Sequence, residues 1–285
     1  MCGMGKLENK VAIVAGGSIG IGEAISERFA AEGAKVMVAG CPDDPVDDVV
    51  GRIAEAGGEA VAFKADLSSE IKARECVTRA VNIWGKIDLF INVSGVFPGI
   101  EEMDIYPTDA FYFMSRHNIQ AVFMMTRFVL PELQKTNGAV VFTGSETGVD
   151  GMPGNVPYGA TKGFVHAFAK GLAKEQAKFG VRVNCVFHGP LDISWLSNVR
   201  NRDKRFSETM NMNWKRAPEQ LAEDYLFLAS DESAQYTGML FSSNDHTIRE
   251  LKAVTRKLDT IRGLLRPASR DQRKKRKERK ARAGK

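Results

Sequence analysis

The sequence predicts one α/β domain, a doubly wound parallel sheet with helices on both faces, followed by a helical and basic extension. Three observations carry this expectation. Short apolar runs of buried-strand type alternate with amphipathic helical stretches over most of the chain. The first run leads directly into a glycine-rich turn and then a helix. The residues with chemical potential fall just after the runs, at the carboxyl ends of strands, where open parallel sheets bind their ligands.

Residues 10–15 (K-V-A-I-V-A) read as the first strand. They run into Gly16-Gly-Ser18-Ile19-Gly20-Ile21-Gly22 and a helix from 23 to about 31. Strand, glycine turn and helix is the context in which a glycine pattern binds a dinucleotide. Gly16 permits the tight turn, Gly20 the approach of backbone to a pyrophosphate, and Gly22 close helix packing. The diphosphate is expected on the helix N-terminus, where unpaired N–H groups and the dipole favour anions. Next come a strand at 35–39, a helix at 46–57, a strand at 59–64 and a helix at 69–84. Strands at 87–92, 139–143 and 181–187 complete the pattern. The long helix expected over 108–130 carries Phe111, Phe113, Met114, Ile119, Val122, Phe123, Met124, Met125, Phe128 and Val129, and is apolar on most sides, so it needs burial all round.

The 285 residues are ample for a sizeable core. The sequence contains no apolar run of the roughly 18 residues a membrane span needs, and its start lacks a secretory apolar segment. Cys2, Cys41, Cys76 and Cys185 are scattered without a C-x-x-C pair, which fits reduced thiols in the cytoplasm. His117, His166, His188 and His246 have no metal-ligand spacing, so no metal is expected. Residues 266–285 hold eleven Lys or Arg and two acids, so the net charge of +5 conceals a body at −4. The body thus gives no reason to expect nucleic acid. Domain boundaries are expected at 1–246, with an amphipathic helix over 247–265 whose apolar stripe is Ile248, Leu251, Val254, Leu258, Ile261 and Leu265. The segment 266–285 is too charged to pack and is expected to be a disordered, solubilising tail or one that contacts a polyanion.

The chemistry concentrates between Ser145 and Lys162. Tyr158 and Lys162 are four residues apart, on one helix face about 5–6 Å apart at Cβ. An ammonium there is expected to lower the phenol from its ordinary pKa of about 10 and let it exchange a proton near neutral pH. Ser145 stands ready to hold a substrate oxygen.

Taken together these pieces resemble the short-chain dehydrogenase/reductase family over about residues 7–242. The resemblance rests on A-G-G-S-I-G-I-G at 15–22, A-D-L at 65–67, N-V-S-G at 92–95, Asn118, and Ser145, Tyr158 and Lys162 in order. R-V-N at 182–184, R-A-P-E at 216–219 and L-F-L-A-S-D-E at 226–232 extend it. It implies a Rossmann-type fold and an NAD(P)-dependent oxidoreductase interconverting a secondary alcohol and a ketone. Tyr158 would be the general acid/base, Lys162 would hydrogen-bond the nicotinamide ribose, Ser145 would orient the substrate, and Asn118 would hold a water linking Lys162 to solvent. Gly16, Ser18, Ile19, Gly20, Ile21 and Gly22 would hold the diphosphate, with Gly40 and Cys41 at the adenosine ribose. Asp66 and Leu67 would meet the adenine, Asn92 and Gly95 the ribose, and Gly189 and Leu191 the nicotinamide. Met152, His188 and Trp195 are candidate substrate contacts, and residues 194–216 sit where the family has its substrate lid. The long fourth helix implies a homo-oligomer, a tetramer or dimer.

Some positions depart from the family. Gly40 stands where NAD-preferring members carry Asp, and neither Ile19 nor Cys41 is the cation of NADP-preferring members. A 2′-phosphate would lack a charge-assisted partner and would meet Asp43 and Asp44, which favours NAD over NADP. Val93 and Ser94 replace Asn-Ala, His188 replaces Pro before Gly189, Ile193 replaces a frequent Thr, and Ser243-Asn-Asp-His246 replaces V-D-G-G. The alternative to an enzyme is a catalytically idle cofactor-binding scaffold or regulator acting through the basic tail.

Overall fold

The buried apolar runs form the strands of one parallel sheet, and the amphipathic stretches between them form crossover helices. The structure is a computed structural model that describes residues 5–189 and 217–243. Strands β1 (Val11–Ala15), β2 (Lys35–Gly40), β3 (Glu59–Lys64), β4 (Leu89–Asn92), β5 (Ala139–Thr143), β6 (Arg182–Phe187) and β7 (Leu240–Ser242) lie in the order β3-β2-β1-β4-β5-β6-β7. Every neighbouring pair is parallel. Sequential strands run outward from β1 to β3, and β4 then returns to the other side of β1. That reversal opens a crevice at the carboxyl ends of β1 and β4, the place where such sheets bind ligands. The register sets Ala15 beside both Ala39 and Asn92, so the glycine turn leaves β1 between the ends of β2 and β4.

All five residues of β1, all four of β4 and all five of β5 are buried, as central strands covered on both faces require. The helices are α1 (Gly20–Ala31), α2 (Val46–Glu55), α3 (Glu70–Trp84), α4 (Thr108–Ser115), α5 (Ala121–Thr136), the short α6 (Thr147–Asp150), α7 (Val156–Gln176) and α8 (Pro218–Ala229). The first helix begins three residues before the expected start, because Gly20–Gly22 already belong to its first turn. Arg182 ties α8 to the sheet: its guanidinium donates to the carbonyls of Leu228, Ala229 and Ser230 at the helix end.

The long helix expected over 108–130 is present and runs on to Thr136, but it is not a uniform α-helix. A π-helical turn, Arg116–Gln120, separates α4 from α5. Such a turn widens the backbone by one residue and re-aims the side chains within it. Nor is the helix buried on every side. Met114, Val122, Met125 and Val129 are in the core, whereas Phe111, Tyr112, Phe113 and Phe123 are exposed. Among the described residues no helix is long and apolar enough to cross a membrane. Leu191, Trp195, the expected lid at 194–216, and the extension at 247–285 lie outside the described residues.

Candidate active site and dinucleotide cradle

The cradle is built where β1 ends. Gly16 and Gly17 both donate backbone N–H bonds to Ala39 O, at 2.8 and 3.0 Å, locking the turn against β2. Gly16 has φ +77°, and a Cβ there would sit 2.8 Å from Ser94 N. A Cβ on Gly22 would sit only 1.8 Å from Gly16 O, so a side chain would force the turn and helix apart. The N-cap residue of α1, Ile19, is extended and offers no side-chain cap; Glu23 accepts from the Gly20 N–H in the first turn, and the helix dipole at this end favours an anion. Asn92 is 2 % exposed, and its Nδ2 has no hydrogen-bond partner among the described residues. An orphaned donor beside the glycine turn calls for an acceptor from a ligand. These features fit a dinucleotide.

Around the cradle the assigned residues take definite places. Ser18 is fully buried and donates to Asp44 Oδ2 at 3.1 Å. Asp66 accepts from the backbone and hydroxyl of Ser68 and from Arg116 Nη2 at 2.6 Å. Burial works against the Asp66 anion, but these bonds and Arg116 outweigh it and hold its carboxyl below the usual range. Leu67 is buried behind it, and Gly95 is exposed on the loop after β4.

The second half of the site is assembled by α6 riding on α7. A Cβ on Gly148 would lie 2.9 Å from Gly163 N, so only glycine allows the two backbones this close. The contact brings Ser145, at the end of β5, to the face of α7 that carries Tyr158 and Lys162. Ser145 Oγ lies 3.0 Å from Thr147 Oγ1 and also accepts from Thr147 N. The Ser145 N–H donates to His166 Nε2 at 3.3 Å. Lys162 is 5 % exposed; its ammonium donates to Thr143 O at 3.1 Å and lies 5.7 Å from the Tyr158 ring centroid. Phe97 packs edge-on against Tyr158, with centroids 5.1 Å apart.

The electrostatics differ from the expectation that Lys162 lowers the phenol. Part of Tyr158 reaches the surface, but its hydroxyl lies deep, and burial pushes the phenol up to about 12 despite a hydrogen bond from Ser145. Burial pushes Lys162 down to about 8. The ammonium is aimed at the Thr143 carbonyl, and desolvation of both groups dominates. Burial, with help from the Lys162 charge, likewise lowers His166, which keeps its ring neutral and able to accept from Ser145.

Asn118 sits in the π turn and is 1 % exposed. Its Oδ1 accepts from Val96 N at 2.7 Å, while Nδ2 donates to Val96 O at 3.0 Å and Thr161 Oγ1 at 3.1 Å. It therefore clamps the loop after β4 to α7, a bracing role its position in the sequence did not reveal. Met152 is half-buried in the loop after α6, where its carbonyl accepts from Asn155 N. His188 follows β6; its Nδ1 is 2.8 Å from Gly189 O, and its own carbonyl accepts from Glu146 N. Sequence reasoning missed Thr143, His166, Thr161 and Arg116. Each acts through a contact 19 or more residues away in sequence, and no local pattern marks it. Among the described residues no cluster of His, Cys, Asp and Glu could hold a metal ion.

A dinucleotide cradle opposite a Ser–Tyr–Lys cluster defines a nucleotide-binding oxidoreductase. A family model described as short chain dehydrogenase matches residues 10–204, and this chain belongs to that family. It is 32 % identical over 238 residues to 2,5-dichloro-2,5-cyclohexadiene-1,4-diol dehydrogenase LinX of Sphingobium indicum, covering 82 % of this chain and 94 % of the relative. It is 30 % identical to meso-2,3-butanediol dehydrogenase of Serratia marcescens, covering 82 % and 92 %. Among solved structures it superposes with TM-score 0.76 and 28 % identity on 3-ketoacyl-(acyl-carrier-protein) reductase from Brucella melitensis complexed with NADH, covering 83 % of this chain and 97 % of the other. Fold, family and cradle together assign the chain a nicotinamide cofactor.

Proposed function

We propose that this chain interconverts a secondary alcohol and a ketone with NAD in preference to NADP, using Tyr158 as the proton donor and acceptor. The observation that carries the reading is the convergence of Ser145, Tyr158 and Lys162 at the carboxyl end of β5, across from the glycine turn. When bound, the nicotinamide cofactor supplies or accepts the hydride. Everything else is work for this chain's own side chains. With its phenol near 12, Tyr158 holds its proton at neutral pH, the state needed to protonate an alkoxide developing at the substrate oxygen. Ser145, its backbone held by His166 and its hydroxyl by Thr147, presents an Oγ that orients the same oxygen. Lys162 stays largely an ammonium at pH 7 and supplies positive charge beside the phenol. Met152, His188 and Trp195 remain the proposed walls of the substrate site. Relatives named as diol dehydrogenases favour a secondary alcohol as the reduced partner.

The exposed Phe111, Phe113 and Phe123 on α4 and α5 support a homo-oligomer that covers this face with another copy. The free Cys41, Cys76 and Cys185 fit a reducing cytoplasm.

A turnover screen of alcohols and ketones with both cofactors tests the reading, with Tyr158→Phe as the comparison. The variant should keep cofactor affinity and lose about 10²–10⁴-fold in turnover, the usual worth of a positioned acid/base. Unchanged turnover in Tyr158→Phe would remove Tyr158 from the reaction.

A further inference from the structure

Dinucleotide folds that prefer NAD place an acid about 20 residues beyond the glycine turn, at the end of the second strand, to accept the adenosine ribose 2′-OH. Gly40 occupies that place here, and it has no side chain to offer. The structure shows what fills the space instead. A Cβ built on Gly40 would lie 3.0 Å from Asp44 Oδ2 and 2.5 Å from Ser18 Oγ. The Asp44 carboxylate has thus folded back from near the end of the β2–α2 connection to the spot beside Gly40.

The carboxylate is held there. Asp44 Oδ2 accepts from Cys41 N at 2.8 Å and from the buried Ser18 hydroxyl at 3.1 Å, which ties it to both the end of β2 and the glycine turn. The backbone loop closes behind it, with Asp44 N donating to Cys41 O at 3.1 Å and Val46 N donating to Asp44 O at 2.8 Å. Among the described residues Oδ1 takes no hydrogen bond, and Asp44 itself is half-buried at the rim. The surroundings are anionic. Burial raises the neighbouring Cys41 thiol, and Asp44, Asp66 and Asp43 raise it further. Among the described residues Arg116 is paired with Asp66, and Lys64 at the end of β3 is paired with Asp47.

We propose that Asp44 determines cofactor choice: its carboxylate replaces the acid missing at Gly40, accepts the adenosine ribose 2′-OH of NAD and repels the 2′-phosphate of NADP. The inference rests on the reading of this chain as a nicotinamide-dependent oxidoreductase. A charge-assisted hydrogen bond to the hydroxyl is gained with NAD, and a like-charge contact is incurred with NADP, so both effects act in the same direction. Ser18 acquires a role as well, since it holds the carboxylate in place from the glycine turn. It explains how a chain without the usual acid or the usual cation still discriminates.

The test is direct titration of NADH and NADPH into the full chain by calorimetry, for wild type, Asp44→Asn and Asp43→Asn. Asp44→Asn keeps the shape and the acceptor for Cys41 N and removes the charge, so folding is preserved. Asp43 is exposed beside it and controls for general charge. Wild type should bind NADH at least about tenfold more tightly than NADPH, and Asp44→Asn should erase at least about tenfold of that ratio while Asp43→Asn alters it little. Equal affinity of wild type for both cofactors, or a ratio that Asp43→Asn changes as much as Asp44→Asn, overturns the proposal. Binding of neither cofactor overturns it together with the functional reading. The expected ratios without turnover of any alcohol or ketone uphold Asp44 and overturn only the catalytic assignment.

Discussion

Replacing Asn118 by alanine separates two roles that the position could serve. If the side chain only holds a water near Lys162, the variant loses turnover and keeps its stability. The structure argues for more. Asn118→Ala removes three hydrogen bonds, two to the Val96 backbone and one to Thr161 Oγ1. At a net value of about 1 kcal/mol each, the loss is about 3 kcal/mol. Val96 is half-buried, so water re-solvates part of its backbone and brings the expected cost to about 2 kcal/mol. For a body of this size each kcal/mol shifts Tm by about 2–4 °C, so the midpoint should fall by about 4–8 °C. Thermal unfolding followed by circular dichroism measures it, with turnover recorded alongside. A shift within about 1 °C of wild type, accompanied by lost activity, would refute the clamp and leave Asn118 a role in the reaction alone.

Other consequences are open to the same treatment. Lys162 has a folded pKa of about 8 against an ordinary 10.5, so folding disfavours its charged form. Below pH 8 both states carry the charge and the folded state bears the full penalty; between 8 and 10.5 the folded state releases its proton first and the penalty shrinks. Relative to Lys162→Met, wild type should therefore gain about 2 kcal/mol between pH 7.5 and 9.5 in urea unfolding, whereas parallel curves would contradict the buried ammonium. Gly22→Ala drives a methyl into Gly16 O and should abolish NADH binding in calorimetry with little change in far-ultraviolet circular dichroism; normal affinity would show that the turn does not hold the diphosphate. Sedimentation at micromolar concentration should show an oligomer that Phe113→Lys weakens, and a monomeric wild type would leave the exposed phenylalanines without a partner copy.

The site was partly legible before the fold. The glycine turn is contiguous, and Tyr158 and Lys162 are one helical turn apart, so local geometry alone made them neighbours. Ser145 joined them through the order and separation of motifs. The π turn at Arg116–Gln120 was not legible, because an apolar run reads as helix whether or not a turn within it is widened. The expected lowering of the Tyr158 phenol failed for a related reason. Spacing reports that a lysine is near, but not that its ammonium points at the Thr143 carbonyl, nor how much water burial removes.

By itself, then, the sequence determined the parallel sheet, the dinucleotide turn and the tyrosine–lysine pair, all of which depend on periodicity or short spacing along the chain. Only the tertiary structure decided that Asn118 braces the loop after β4, that His166 holds the Ser145 backbone, and that Asp44 occupies the space beside Gly40. The physical reason is the same in each case. Hydrogen bonds and desolvation depend on which atoms end up within 3 Å or so of one another, and packing of distant segments sets that distance.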